Sequence, residues 1–109
     1  MYKQKEIVLV PFPYSDLSSI KKRPVLIISN NDYNMKFNDV IVTVITYKVA
    51  TMDAYSTPLT DRHLEYGFLP EESVIKVHKI FTIDKSRIIK KFSRIKNEKF
   101  SEVQNILKL

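Results

Sequence analysis

The sequence contains no cysteine and a single glycine among its 109 residues, and each shortage excludes a class of protein. Without cysteine there is neither a disulfide framework nor a thiolate metal site, as is typical of proteins from a reducing cytoplasm. With one glycine there is no glycine-rich loop of the kind that cradles phosphates in nucleotide-binding enzymes. The two histidines, His63 and His78, are too isolated to form a metal-ligand set. We therefore expect no metal and no cofactor.

Long apolar runs are missing as well. The first run, Ile7–Val10, is closed by Pro11 and Pro13 and is far too short for a signal-peptide core or a membrane span. The hydrophobic fraction of 44% nevertheless suffices for a packed core in a chain of this length. We expect one cytoplasmic domain over residues 1–109 that does not enter a membrane.

The net charge of +6 is concentrated in one part of the chain. Between Lys76 and Lys99, nine basic residues stand against Asp84 and Glu98, so this stretch carries +7. Such a surplus indicates affinity for a polyanion such as nucleic acid, or for an acidic partner protein. The simpler interpretation is a solvated basic face, and the charge by itself does not indicate catalysis.

Short β-branched runs separated by polar turns predict a mainly β fold. Each run is too short for a helix, and prolines or turn residues close it. The polar segment 30–34 predicts a turn that opens a single helical turn. The predicted strands cover Ile7–Val10, Arg23–Ser29, Asp39–Thr46, Tyr55–Leu59 and Ser73–Ile83.

The last predicted strand, Ser73–Ile83, alternates apolar and polar residues with a period of two. Its opposite face holds Lys76 and His78, so a cation and a group that titrates near neutral pH lie two residues apart. The apolar face is expected to carry Ile75, Val77, Phe81 and Ile83.

The C-terminal segment predicts an amphipathic helix. Asn97 is a suitable N-cap, and Glu98 follows in the first turn. Apolar residues recur at helical spacing at Phe100, Val103, Ile106 and Leu107. The preceding residues, 88–95, fit either a helix or a twisted strand. Together the elements predict an α+β, mainly β fold, a small partly open barrel with a C-terminal helix packed against it.

Cleavage of RNA is a reaction that these residue types can support, because the 2′-hydroxyl of RNA can itself attack the adjacent phosphate. The protein then supplies a base, an acid and a cation over the phosphorane oxygens. Arg23 is the candidate cation, since a strand start beside Lys21 and Lys22 aims its planar guanidinium at a phosphate. Thr46 ends the third predicted strand and offers a hydroxyl donor. Taken singly, each residue more often has a structural role.

Aromatic residues are interleaved with the basic ones and are suited to stacking on unpaired bases. They include Tyr14, Tyr47 and Tyr55. Most aromatic side chains in so small a protein nevertheless belong to its core.

The order and spacing of five segments resemble the MazF/PemK/Kid toxins of type II toxin-antitoxin systems. The resemblance covers nearly the whole chain and includes the terminal helix. The segments are IVLVPFP at 7–13, KRPVLIIS at 22–29, DVIV at 39–42 leading to Thr46, ESVI at 72–75 and TIDKSRI at 82–88.

The resemblance implies an SH3-like barrel, a homodimer, and an endoribonuclease toxin that cleaves single-stranded messenger RNA at short sequences without a metal. It further implies products with a 2′,3′-cyclic phosphate and a 5′-hydroxyl, and neutralisation by a cognate antitoxin. The sequence departs from the family pattern before the first strand, where Lys5 and Glu6 replace the usual Gly-Asp. We expect this departure to affect only the entry turn.

The resemblance also implies roles for individual residues. Arg23 and Thr46 match the family's catalytic pair, with Arg23 as the phosphorane-stabilising cation and acid. Lys76 and His78 occupy the positions of acid and base in the Kid branch, which makes His78 a further catalytic candidate. Loops 13–22 and 47–55 match those that line the RNA channel. The expected substrate-binding residues are Tyr14, Ser15, Lys21, Lys22, Tyr47, Lys48 and Lys76.

Two other functions fit the same sequence. A gyrase poison of the CcdB type shares the fold, binds a protein target and cleaves nothing. A nucleic-acid-binding barrel without activity needs only the basic segment and the aromatic residues, and its binding would fall steeply with salt while no RNA ends appeared.

Overall fold

Six strands form a single curled antiparallel sheet, and a C-terminal helix packs against it. The computed structural model describes residues 1–13, 20–47 and 52–108. The elements are β1 (Glu6–Pro13), β2 (Ile20–Ile27), α1 (Asn31–Lys36), β3 (Asp39–Thr46), β4 (Ser56–Leu59), β5 (Ser73–Asp84), β6 (Lys90–Arg94) and α2 (Asn97–Leu107), with short 3-10 turns at Asp61–His63 and Lys85–Arg87. The order of the strands in the sheet is β4-β5-β3-β2-β1-β6.

This arrangement confirms the predicted small, mainly β, half-open barrel with its terminal helix. The prediction for β3 is exact. Strand β1 continues beyond the predicted Val10 to Pro13, whereas β2 begins three residues before the predicted Arg23 and ends at Ile27, two residues before the predicted Ser29. The segment that fitted either helix or strand is the strand β6, because it pairs with β1 along that strand's outer edge. An isolated bridge between Leu64 and Ile95 draws the two ends of the curled sheet together.

The sheet is apolar on both faces, which explains why its strands have almost continuous β-branched sequences. One set of alternating residues packs with α2 in a helix-side cluster that includes Ile7, Leu26 and Ile45. The other set forms a second cluster on the opposite face, which includes Val8 and Val25. These residues have no exposed surface. Burial on both faces therefore holds each central strand in one register.

Strand β5 changes faces partway along its length. Val44 pairs with Lys76, whereas the preceding Thr43 pairs with Ile80, so residues 77–79 form a bulge. An insertion of an odd number of residues exchanges the two faces of a strand. Ile75 and Val77 accordingly lie in the helix-side cluster, while Phe81 and Ile83 belong to the second cluster. The prediction that these four residues share one face is therefore wrong.

The terminal helix α2 packs as its apolar stripe predicts. Phe100 and Val103 are buried in the helix-side cluster, and Ile106 and Leu107 pack against it. The expected N-cap is off by one residue, since Lys96 holds that position and Asn97 is already helical. The side chain of Asn97 instead accepts a hydrogen bond from Lys5 Nζ.

No helix in the described ranges is long and apolar enough to cross a membrane.

Lys99 adds a polar link between α2 and β4. Its ammonium group is buried and donates to Thr57 Oγ1 at 2.7 Å and to Glu102 Oε2 at 2.9 Å. Thr57 in turn donates to Glu102 Oε1 at 3.1 Å. The buried charge is thus satisfied by two partners, as a desolvated ammonium group requires.

Candidate functional site

Arg23 on β2 and Thr46 at the end of β3 occupy facing positions on adjacent strands. The β2–β3 ladder pairs Val25 with Val44, and its continuation by two residues sets Arg23 opposite Thr46. Opposed residues on antiparallel strands share a face, with Cβ atoms about 4.5–5.5 Å apart. Arg23 is half-buried and pairs on its other side with Val10. The fold therefore brings together the two residues that the sequence singled out.

Pro24 ends the regular β2–β3 ladder next to Arg23. The amide of Ile28 donates to the Ile41 carbonyl at 2.9 Å, so even-numbered residues of β2 direct their N–H groups towards β3. Pro24 has no N–H to donate, and the paired positions of these strands begin at Val25. The Arg-Pro sequence thus removes one backbone donor from the edge of β2 that faces β3, at the residue next to Arg23.

Lys76 lies on the same sheet face as Arg23 and Thr46. It pairs with Val44 and is therefore one diagonal step from Thr46, whose own partner is Val74. Such diagonal positions are about 7–8 Å apart, within reach of a long side chain. Lys76 is half-buried, as expected of a lysine whose aliphatic stem packs on a sheet. Two cations and one hydroxyl consequently share this face.

The two lysines before Arg23 lie on opposite faces of the sheet. Lys21 alternates with Arg23 and pairs with Phe12, which packs against the second cluster. Lys22 instead has the parity of Leu26 in the helix-side cluster. Both lysines are exposed. The fold therefore brings Lys21 to the face of Arg23 and places Lys22 away from it.

His78 lies on the β5 bulge, beside Tyr55. The ring centroids are 5.8 Å apart and the ring planes are inclined at 59°. Asp53 Oδ1 accepts hydrogen bonds from the Tyr55 amide at 2.8 Å and from Ser56 Oγ at 2.9 Å. The amide of Val77 donates to the Tyr55 carbonyl at 3.0 Å. Tyr55 and His78 are thus held on neighbouring segments by backbone bonds.

The carboxylate of Asp53 is stabilised in its ionised form. Hydrogen bonds from the Tyr55 amide and the Ser56 hydroxyl lower the pKa of Asp53, and the nearby charges of Lys76 and His78 lower it further. An ionised acid therefore stands beside the cationic face and partly balances it.

Tyr47 connects the Arg23 position to the segment before β5. Burial raises the pKa of Tyr47, the positive charge of Arg23 opposes this shift, and Glu71 adds to it. Tyr47 is half-buried, and the β3–β5 register continued past Thr46 brings it beside Ser73. Tyr47 therefore keeps its proton at neutral pH and is a hydrogen-bond donor close to Arg23.

Three of the predicted substrate-binding residues, Tyr14, Ser15 and Lys48, lie outside the described residues. In the described ranges, no group of three or more acidic or histidine side chains is arranged to hold a metal ion. An open cavity of about 610 Å³ is lined by none of the predicted site residues, although Glu71 on its wall interacts with Tyr47. Its lining consists of Thr60, Asp61, Arg62, Leu69, Pro70, Glu71 and Glu72.

Sequence reasoning did not place Asp53 and Glu71 near the site. The Asp-x-Tyr-Ser order is typical of a turn in which the aspartate side chain accepts from the backbone two residues later. The turn around Asp53 could therefore have been predicted from the sequence. For Glu71 no local signal exists, because its proximity to Tyr47 depends on the pairing of β3 with β5.

The curled sheet, its terminal helix and its cationic face define a small barrel protein suited to a polyanionic ligand. Residues 3–109 match the family described as PemK-like, MazF-like toxin of type II toxin-antitoxin system. The chain therefore belongs to this family of toxins, which confirms the resemblance seen in the sequence. A comparison with curated protein sequences finds no match.

Solved structures of similar fold include an endoribonuclease, a MazE-MazF complex and a MazF toxin. An endoribonuclease in complex with its cognate antitoxin, from Mycobacterial species, has a TM-score of 0.77 and 17% identity, covering 98% of this chain and 91% of that one. MazE-MazF (Form-II) from Deinococcus radiodurans has a TM-score of 0.75 and 16% identity, covering 97% and 91%. The Mycobacterium tuberculosis toxin MazF-mt6 has a TM-score of 0.70 and 20% identity, covering 95% and 97%. At these identities the likeness shows the shared fold.

Proposed function

We propose that this chain is a sequence-specific endoribonuclease toxin that cleaves single-stranded RNA without a metal. The observation that carries the proposal is the β2–β3 register, whose continuation sets Arg23 opposite Thr46, with Lys76 on the same sheet face. Membership of the toxin family supports it, as do the solved structures of like fold that are described as endoribonucleases.

In the proposed reaction, the ribose 2′-oxygen attacks the adjacent phosphorus while the bond from phosphorus to the 5′-oxygen breaks. The guanidinium of Arg23 donates hydrogen bonds to the phosphorane oxygens, where negative charge develops. As the acid, Arg23 also transfers a proton to the departing 5′-oxygen and regains that proton from solvent. The hydroxyl of Thr46 donates to a non-bridging oxygen and positions the phosphate. The proton of the 2′-hydroxyl passes to solvent water, since the further candidate His78 lies on β5, two strands from Arg23, against Tyr55. The products are a 2′,3′-cyclic phosphate and a 5′-hydroxyl.

The remaining contacts with RNA are assigned to the basic and aromatic residues around this pair. Lys21 and Lys76 share the face of Arg23 and neutralise flanking phosphates. Tyr47 donates from its protonated phenol beside Arg23. Lys22 lies on the other face and contributes only to the long-range electrostatic attraction of the RNA.

A cognate antitoxin and a second copy of the chain complete the proposal. Two of the solved structures of like fold are complexes with an antitoxin or with MazE. The surplus of positive charge suits an acidic, partly disordered antitoxin tail that folds on this surface. We assign the active toxin to the cytoplasm, as a homodimer.

The test is incubation of purified protein with a mixed single-stranded RNA in excess EDTA, followed by mapping of the RNA ends. We expect cuts at restricted sequences that leave 5′-hydroxyls, and we expect Arg23→Ala to abolish them. Arg87→Ala removes one exposed arginine from a 3-10 turn and is the matched control, which keeps cleaving. Intact RNA from a folded wild-type dimer would reject the nuclease and favour a gyrase poison or a silent nucleic-acid binder.

A further inference from the structure

Tyr55 exposes an aromatic ring immediately before β4. The residue is 43% exposed and belongs to neither apolar cluster of the described residues. Its outer neighbour is the imidazole of His78, at a centroid distance of 5.8 Å. A large ring left partly in water beside a second ring offers one open face to a planar ligand.

The position of this ring is set by the backbone. Asp53 Oδ1 accepts from both the Tyr55 amide and Ser56 Oγ, which closes a tight turn immediately before β4. On the other side, the Val77 amide holds the Tyr55 carbonyl, and the bulge at residues 77–79 turns His78 towards the ring. A ring that is already held costs little conformational entropy when it takes a ligand.

The surroundings of the ring identify the chemistry of that ligand. Lys76 pairs with Ser56, the residue after Tyr55, and brings a positive charge to the same part of the sheet. A stacking ring next to cations is the combination that binds unpaired bases of a single strand, whose phosphates meet the cations.

We propose that Tyr55, backed by His78, is a stacking platform for one unpaired base of the RNA. The platform rests on the proposed nuclease function and adds a base subsite to it. Arg23 on β2 and Tyr55 beside β4 are separated by three strand spacings, about 14 Å. The stacked base therefore belongs to a nucleotide that flanks the cleaved bond, and Tyr55 contributes to the choice of cleavage sequence.

The first experiment measures binding of two labelled single-stranded oligodeoxynucleotides of equal length, one with bases and one with abasic sites throughout. Neither has a 2′-hydroxyl, so neither can be cleaved by the proposed route, and both carry the same phosphate charge. We expect wild-type protein to bind the strand with bases about 5- to 100-fold more tightly. Tyr55→Leu should lose most of this preference, whereas Tyr55→Phe keeps the ring and should retain it.

Asp53 provides a second pair of variants that tests how the ring is held. Asp53→Asn keeps an Oδ1 acceptor for the Tyr55 amide and should preserve the preference for bases. Asp53→Ala removes the acceptor and should reduce the preference, while it binds the abasic strand as tightly as Asp53→Asn does, because both variants lose the same charge. In RNA cleavage, Tyr55→Leu should raise KM by a similar factor and change the distribution of cut sites, while Tyr55→Phe matches wild type.

The outcomes separate this platform from the nuclease itself. Equal affinity of wild-type protein for both strands, or an unchanged preference in Tyr55→Leu, overturns the platform while cleavage in EDTA stands. Failure of the wild-type protein to cleave RNA in EDTA rejects the nuclease function, and the platform as a cleavage determinant falls with it.

Discussion

The buried ammonium group of Lys99 lies 2.7 Å from Thr57 Oγ1 and thereby joins the terminal helix to the edge strand β4. Glu102, one turn further along the helix, bonds to both of these residues. A buried cation of this kind has few ways to regain its hydration, so its partners determine how much stability the contact supplies.

Removal of Glu102 is expected to destabilise the fold. Glu102→Ala leaves the Lys99 ammonium with one partner, and we expect a loss of about 1–2 kcal/mol, moderated because the Glu102 side chain is half exposed. Urea unfolding followed by circular dichroism measures the change. Gln104→Ala, an exposed position on the same helix, should change stability by less than about 0.5 kcal/mol. Equal effects of the two variants would contradict the role given to Glu102.

Stability is expected to fall on mild acidification because of His63. Its Nδ1 accepts the Thr60 amide at 3.0 Å, and burial, assisted by the charges of Lys99 and Arg62, lowers the pKa of His63. As the pH falls, His63 therefore takes up its proton at a higher pH in the unfolded chain than in the folded protein. The stabilisation is complete above the ordinary histidine pKa of about 6.5 and is lost as the pH falls through the lower folded-state value.

The measurement is the urea midpoint between pH 7.5 and pH 5. His63→Asn keeps a side-chain acceptor but cannot titrate in this range, so its midpoint should vary less with pH than that of the wild type. Identical slopes for the two proteins would show that another group causes the loss.

Lys5 is expected to be a strained position. Its φ is +79°, in the left-handed region that favours glycine. Its amide donates to the Ile27 carbonyl and its carbonyl accepts from the Ile95 amide, so the backbone is held in this conformation. The strain is thus a consequence of joining β1 to both neighbours.

Lys5→Gly should stabilise the protein by up to about 1 kcal/mol, whereas Lys5→Val, with a β-branched side chain, should destabilise it by more than that. Thermal unfolding of the pair provides the comparison, and both variants lose the contact with Asn97 equally. A lower melting temperature for Lys5→Gly than for Lys5→Val would refute the strain.

Thr46 is expected to act through its hydroxyl. Thr46→Val preserves the β-branched shape, and loss of a donor to the phosphorane should lower kcat about 10²- to 10³-fold. Thr46→Ser keeps the hydroxyl and should retain most of the activity. Single-turnover cleavage of an RNA with a mapped site measures both. If Thr46→Val cleaves at the rate of Thr46→Ser, the hydroxyl has no part in the reaction.

Local patterns were sufficient for most elements of this fold. The Asp39–Thr46 run is a strand both in the sequence and in the structure, and the spacing of Phe100 and Val103 correctly predicted a buried helix stripe. These predictions succeed because strand and helix periodicity is a property of neighbouring residues. The choice of Arg23 and Thr46 as a catalytic pair likewise came from residue types and family resemblance, and their catalytic role stays a prediction.

Only the tertiary structure decided which residues of different strands become neighbours. The bulge in β5 exchanges the faces of Val77 and Phe81, because a register shift depends on how β3 pairs and leaves no mark on the alternation itself. The face of the sheet on which Lys22 lies follows from the same alternation once the pairing of β2 with its neighbouring strands is known. The chain thus determined its strands, its helix and its candidate cation by itself, whereas long-range pairing determined that Arg23 faces Thr46 and that Tyr55 meets His78.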